Sequence, residues 1–155
     1  MNFTQRVVEL ARQNVEAGGR PFATVVARGD ELIAESANLV AQTSDPTAHA
    51  EILAVSAACR ALGTEHLSGC TIYVLANPCP MCLGSLYYCS PDEVVFIVER
   101  ADYAPYYTDD RKYFELATFY GEYGRDWTKR RLPMRQAQVP EAISVFQAWR
   151  ARNTV

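Results

Sequence analysis

No stretch of about 18 consecutive apolar residues occurs in the chain, which argues against a membrane-spanning helix. The N-terminal segment from Met1 to Leu10 is amphipathic and lacks the apolar core of a secretory signal, so export is not expected. An excess of positive charge is also missing: 15 Lys and Arg stand against 18 Asp and Glu, a formal net charge of −3. Phosphate backbones are bound chiefly through Lys and Arg, so this balance speaks against a large nucleic-acid footprint. No repeat, low-complexity tract or linker interrupts the 155 residues, a length that suits one domain with a sizeable core. Five cysteines do not pair off, and without an export signal they fit free thiols in a reducing, cytoplasmic setting. Histidine is scarcer still, with only His49 and His66.

What is present reads as alternating helices and strands. Phe3, Val7, Val8, Leu10, Ala11 and Val15 recur at helical spacing over residues 3–17, and Gly18-Gly19 ends that helix. Residues 22–38 read as two strands joined by a tight turn at Gly29-Asp30. Asp45-Pro46 offers an N-cap followed by Pro at the first helical position, which predicts a helix over about 46–62 closed by Gly63. Residues 70–76 and 94–98 are β-rich apolar runs, and a helix from Cys79 to about Cys89 lies between them. Residues 134–139 suggest a fifth strand, and Pro140 precedes an amphipathic tail helix carrying Ile143, Val145, Phe146 and Trp149. Strands separated by helices imply a partly parallel α/β sheet with right-handed crossovers. Residues 103–127 hold more than half of the aromatics and show no clear period.

Two short motifs carry the chemistry: His49-Ala50-Glu51, and Pro78-Cys79-Pro80-Met81-Cys82. Each opens a predicted helix. Cys79 and Cys82 are three apart and so share a helix face. One imidazole and two thiolates are three ligands for a zinc ion, one short of a closed structural site, so a fourth position stays open for water. A metal there lowers the pKa of bound water to near neutral. Glu51, two residues beyond the histidine, is placed to accept the water's proton and return it to the substrate. A redox C-x-x-C has no use for the upstream H-x-E. A purely structural zinc module has no use for Glu51, and His66 sits in a polar loop. Cys59, Cys70 and Cys89 are expected to be buried packing residues. The basic cluster Arg125, Lys129, Arg130, Arg131 and Arg135 reads as a solvated face.

The H-x-E and P-C-x-x-C pair is the signature of the zinc nucleobase deaminases, and on it the chain resembles the cytidine deaminase superfamily. Within that superfamily it is most similar to bacterial guanine deaminases. The likeness rests on Gly18 to Phe22, Asn38, Asp45 to Glu51, Pro78 to Gly84, Asp109-Asp110 and Phe146 to Arg150. The resemblance implies a three-layer α/β/α sandwich around a mixed sheet, five-stranded if residues 134–139 join it. It implies a homodimer, with a C-terminal helix over about 141–152 that some members exchange between subunits. It also implies one zinc per chain on His49, Cys79 and Cys82, with Glu51 as the proton shuttle. Asn38 matches a residue whose amide binds the base, Phe22 an aromatic wall, Asp110 an acidic group on the base's other edge, and Ala50 a backbone N–H donor. Apart from the resemblance, Asn38 also fits a turn, Phe22 the start of a core strand and Asp110 a helix cap.

Three departures bear on the substrate. Asn77 stands where guanine deaminases typically carry Glu, and Tyr88 where a Trp is usual. The sequence also runs only five residues past Arg150, where the longer family tail ends in a Tyr that helps close the site in some members. An aromatic from Tyr103 to Tyr123 is the available substitute; the same stretch also reads as a dimer or core patch. The expected reaction is hydrolysis of guanine to xanthine and ammonia. Deamination of another amino-heterocycle (cytosine, a pterin, a triazine, a nucleoside) is the alternative. A tRNA adenosine deaminase shares the motif but needs the basic surface that this sequence lacks.

Overall fold

The computed structural model describes residues 1–153; Thr154 and Val155, the last of the short tail, lie outside the described residues. The chain divides into two compact units, Met1–Asp110 and a second beginning at Arg111.

In the first unit, α1 (Phe3–Glu16) starts at Asn2, whose side-chain carbonyl accepts from the Gln5 N–H at 3.1 Å and so satisfies one of the free donors of the first turn. Phe3, Val7, Ala11 and Asn14 form its buried stripe at helical spacing. β1 (Ala23–Arg28) and β2 (Glu31–Ala37) make an antiparallel hairpin. Gly29 takes φ +60° at the first turn position, which L-residues with a Cβ avoid and tight hairpins require. α2 (Val40–Thr43), a single turn that sequence periodicity does not reveal, precedes α3 (Ala50–Leu62). β3 (Thr71–Ala76), α4 (Pro80–Tyr88) and β4 (Glu93–Val98) form a parallel β-α-β crossover, and α5 (Arg100–Tyr103) follows.

The strand order is β2-β1-β3-β4, antiparallel except for the β3–β4 pair. This is the mixed sheet that was expected, with four strands among the described residues. Strand alternation sorts the apolar side chains onto two faces. Ala23, Val25 and Ala27 pack with α1, while Val26, Ile72 and Val74 pack with Ala54, Ala58 and Leu86 of α3 and α4. Helices therefore cover both faces, giving the three α/β/α layers. Burial of a core Val or Ile of this kind contributes about 1.5–3 kcal/mol.

Two expectations are corrected. The helix after Asp45-Pro46 begins at Ala50, because the Asp45 carboxylate captures the Thr47 N–H at 2.8 Å in a local turn and leaves His49 extended. Residues 134–139 are not a strand: Pro133 and Pro140 bracket them, every side chain there is exposed, and they join no ladder among the described residues.

The second unit contains α6 (Phe119–Tyr123), two short 3₁₀ turns (Trp127–Lys129 and Pro140–Ala142) and α7 (Ile143–Asn153). Phe114, Phe119 and Tyr123 stack edge to face with centroids 4.8 and 4.9 Å apart. Arg131 and Arg125 are tied to Glu115 and Glu122. The apolar residues of α7 are exposed, Phe146 at 70% and Trp149 at 66%. No described helix is long and apolar enough to cross a membrane.

Candidate active site

His49 and Cys79 are the N-cap residues of α3 and α4, both in extended backbone conformation. The two helix starts converge, so their free N–H groups and positive dipole ends face the same spot. His49 Nδ1 lies 3.5 Å from Cys79 Sγ and 3.3 Å from Cys82 Sγ. The three ligand atoms all fall within 4.8 Å of one another. Two soft sulfur donors and an imidazole, with no fourth protein donor in the group, fit zinc with one position left open. The two thiols share one charge: the Cys82 thiol and His49 hydrogen-bond to Cys79 and push its pKa down to about 4, while bonding to Cys79 pushes Cys82 upward. His49 is raised, first by its bond to Cys79.

Glu51 sits in the first turn of α3 with 8% of its surface exposed. Burial pushes its carboxyl upward, a shift opposed by a hydrogen bond with Cys82. Thr24 donates its hydroxyl to Glu51 Oε1 at 3.3 Å.

The remaining sequence candidates fall into three groups. Asn38 is held at the site's edge. Its N–H donates to the Phe22 carbonyl, its own carbonyl accepts from Asn14, and its side-chain oxygen accepts from the Val40 N–H at 3.0 Å. That pattern leaves the side-chain NH₂ as its remaining donor. Asn14 also bonds the Arg20 carbonyl and Gln42, so one buried amide ties two loops and α2 to α1. A side chain on Gly19 would collide with the amides of Asn14 and Gln42. Ala50 is wholly buried at the first position of α3.

Phe22 meets Tyr107 and Tyr103 edge to face, with centroids 4.9 and 5.9 Å apart. With Tyr106, Leu75 and Val98 they line an apolar cavity of about 220 Å³. The tyrosine-rich stretch thus splits: its first part walls a cavity and its later part packs within the second unit. Asn77 donates its side-chain amide to Glu99 Oε2 at 3.2 Å, so a carboxylate from the end of β4 stands beside the amide that replaces the usual Glu.

Tyr88 and Asp110 are both exposed. Tyr88 ends α4, at the far end from Cys79 and Cys82, and is 88% exposed. Asp110 is exposed, and it is Asp109 whose Oδ2 lies 3.8 Å from His49 Nε2. At that distance the Asp109 carboxylate acts on His49 as a charge, favouring the protonated ring. Asp109 Oδ1 in turn lies 3.8 Å from Arg20 Nη1, a buried nitrogen that has no hydrogen-bond partner among the described residues. Sequence reasoning missed Asp109, Arg20 and Thr24. The Asp109-Asp110 doublet was the only signal, and a doublet does not say which member turns inward.

Cys70 and Cys89 are buried in the α3–α4 core with Cys59 packed against them, and burial raises all three thiols.

A three-layer α/β/α sheet with a His-Cys-Cys triad at two helix starts defines a class, and comparison with known proteins agrees. The MafB19-like deaminase family matches residues 1–116, and the chain belongs to that cytidine deaminase-like family. Guanine deaminase of Bacillus subtilis is 40% identical over 149 residues, 96% of this chain and 92% of that protein. The X-ray structure of a B. subtilis guanine deaminase superposes with a TM-score of 0.87 and 38% identity, covering 100% of this chain and 98% of that one. A guanine deaminase structure from Nitrosomonas europaea gives 0.63 at 35% identity, over 66% of this chain and 60% of that one. A tRNA-specific adenosine deaminase of Aquifex aeolicus is 37% identical, but over 61% of this chain and 62% of that protein.

Proposed function

We propose that this protein hydrolyses the amino group of a free nucleobase, with guanine as its substrate and xanthine and ammonia as products. The observation that carries this reading is the extent of the match to guanine deaminase, 96% of the chain, where the tRNA deaminase match stops at 61%. The second unit is thus part of what is shared with the guanine enzyme.

His49, Cys79 and Cys82 would hold one zinc ion, which when bound supplies Lewis-acid activation of a water at neutral pH. Glu51 takes a proton of the attacking water and passes it to the ring nitrogen next to the reacting carbon, then moves the proton of the new hydroxyl to the amine, which leaves as ammonia while the carbonyl forms. Its burial holds its proton affinity up, which suits a group that must both accept and donate. The Ala50 N–H, unsatisfied at the helix start, donates to the base's carbonyl. The Asn38 amide donates to a ring acceptor, and Phe22 offers its face or edge to the base. Glu99, steadied by Asn77, supplies the anionic acceptor for an exocyclic N–H at the rim.

We further read both units as one functional deaminase that works as a homodimer in the cytoplasm. The exposed Ile143, Val145, Phe146 and Trp149 of α7 support the dimer, since apolar side chains gathered on one helix favour a partner surface. The five unpaired thiols support a reducing compartment.

An ammonia-release assay over guanine, adenine, cytosine, pterins, triazines and nucleosides tests the substrate. Guanine is expected to give the highest kcat/KM. Release from a pterin or cytosine with guanine inert would change the substrate and leave the chemistry standing. Inosine formed in tRNA with guanine inert would replace the reading altogether.

A further inference from the structure

Thr24 is a hydroxyl where packing calls for none. It lies in β1 in the run Ala23-Thr24-Val25-Val26-Ala27, is wholly buried, and is the polar exception in that run. Valine has nearly the same shape, favours a strand equally and would not bring a hydroxyl into the core. Ladder partners on both sides, Ser36 and Val74, fix the Thr24 backbone. Its hydroxyl donates to Glu51 Oε1 at 3.3 Å.

We propose that Thr24 is a positioning residue for deamination, holding the inner oxygen of Glu51 so that the outer oxygen handles the transferred proton. The proposal rests on Glu51 being the proton shuttle. A carboxylate's last torsion is broad and roughly two-fold, so without a fixed donor its two oxygens exchange places. A second side chain bonded to Glu51 is Cys82. As a thiolate metal ligand Cys82 has no proton to donate, and the Thr24 hydroxyl remains. With the inner oxygen engaged, the proton from water settles on the outer one, from which the ring nitrogen and the leaving amine are within its path. Without the hydroxyl, a proton can settle on the inner oxygen and be stranded.

Thr24→Val, Thr24→Ser and Glu51→Gln, prepared with zinc and with zinc stripped by chelator, test this. Thr24→Val should lower kcat about tenfold or more, the worth of one hydrogen bond to a charged group, while KM and zinc content stay near native. Thr24→Ser should recover most of that loss, because it keeps the hydroxyl and gives up only a methyl. In the Glu51→Gln background, Thr24→Val should cause no further loss of kcat. Zinc-stripped Thr24→Val should melt several degrees below the stripped native protein, and Thr24→Ser closer to it. A Thr24→Val kcat within about twofold of native, with Glu51→Gln inactive, overturns the role of Thr24 alone. Equal losses in Thr24→Ser and Thr24→Val overturn it too, since the methyl would then be what matters. Native turnover in Glu51→Gln would instead remove the shuttle on which the proposal stands.

Discussion

The two compact units place their apolar side chains in opposite ways. In Met1–Asp110 the sheet is covered on both faces, with Val7, Val25, Val26, Leu67 and Ile72 sealed from solvent. From Arg111 onward no described residue is buried, and Val145, Phe146 and Trp149 stand two-thirds or more open. The first unit is self-sufficient in its core, although Tyr87, Tyr88 and Tyr106 stay exposed on it, and the second presents exposed apolar side chains with no buried core among its described residues. The comparisons divide in the same place. The family match ends at residue 116, while the guanine deaminase match runs through nearly the whole chain. The His49, Cys79 and Cys82 group lies in the first unit, and the likeness to the B. subtilis enzyme extends through the second as well.

The largest effects should come from the first unit. Cys79→Ser or Cys82→Ser removes a soft donor, and we expect less than one zinc per chain by elemental analysis with turnover near background. A variant that stays zinc-free yet active would break the assignment of chemistry to this triad. Glu51→Gln should follow, keeping its zinc and losing on the order of a hundredfold or more in kcat. Near-native kcat there would move the proton shuttle to another residue.

The same division separates what the sequence made legible. The helix and strand periods of the first unit, the hairpin at Gly29 and the His49, Glu51, Cys79 and Cys82 constellation all follow from local rules of spacing and capping. What was not legible depends on contacts between distant segments. Thr24 looks like a strand residue until β1 is laid against α3. Asp109 and Asp110 are alike until the backbone turns one toward His49. Asp45-Pro46 offers a sound helix start by local rules, yet Thr47 takes the Asp45 carboxylate first. In the second unit, residues 134–139 carry a strand-like pattern but join no ladder among the described residues.

A middle-sized effect should test the second unit. Replacing Phe146 and Trp149 together by Ser removes apolar surface that is already exposed within the chain, so the first unit should keep its zinc and its melting behaviour. If α7 meets a second copy, sedimentation should show the mass falling from dimer to monomer. An unchanged dimer would mean that α7 is not the surface that joins the copies, and an unchanged monomer would remove the dimer itself.

The smallest effect is a stability change within the first unit, and it exposes the cost of the site. Burial raises the Glu51 carboxyl above its ordinary 4.5. Below that value the group is protonated in both folded and unfolded chains and contributes no pH-dependent term. As pH rises from 4.5 through the raised folded value, the unfolded chain releases its proton first, and the folded state loses stability by that difference. Glu51→Gln removes the titration. In zinc-stripped protein it should therefore raise the melting temperature by a few degrees at pH 7.5, with the gain shrinking as the pH is lowered toward 4.5. Calorimetry of native and Glu51→Gln proteins over that range measures it directly. A gain that persists at the acid end would assign the effect to packing of the amide, whereas one confined to neutral pH shows that the self-sufficient unit tolerates a destabilising carboxylate at the place where its chemistry needs one.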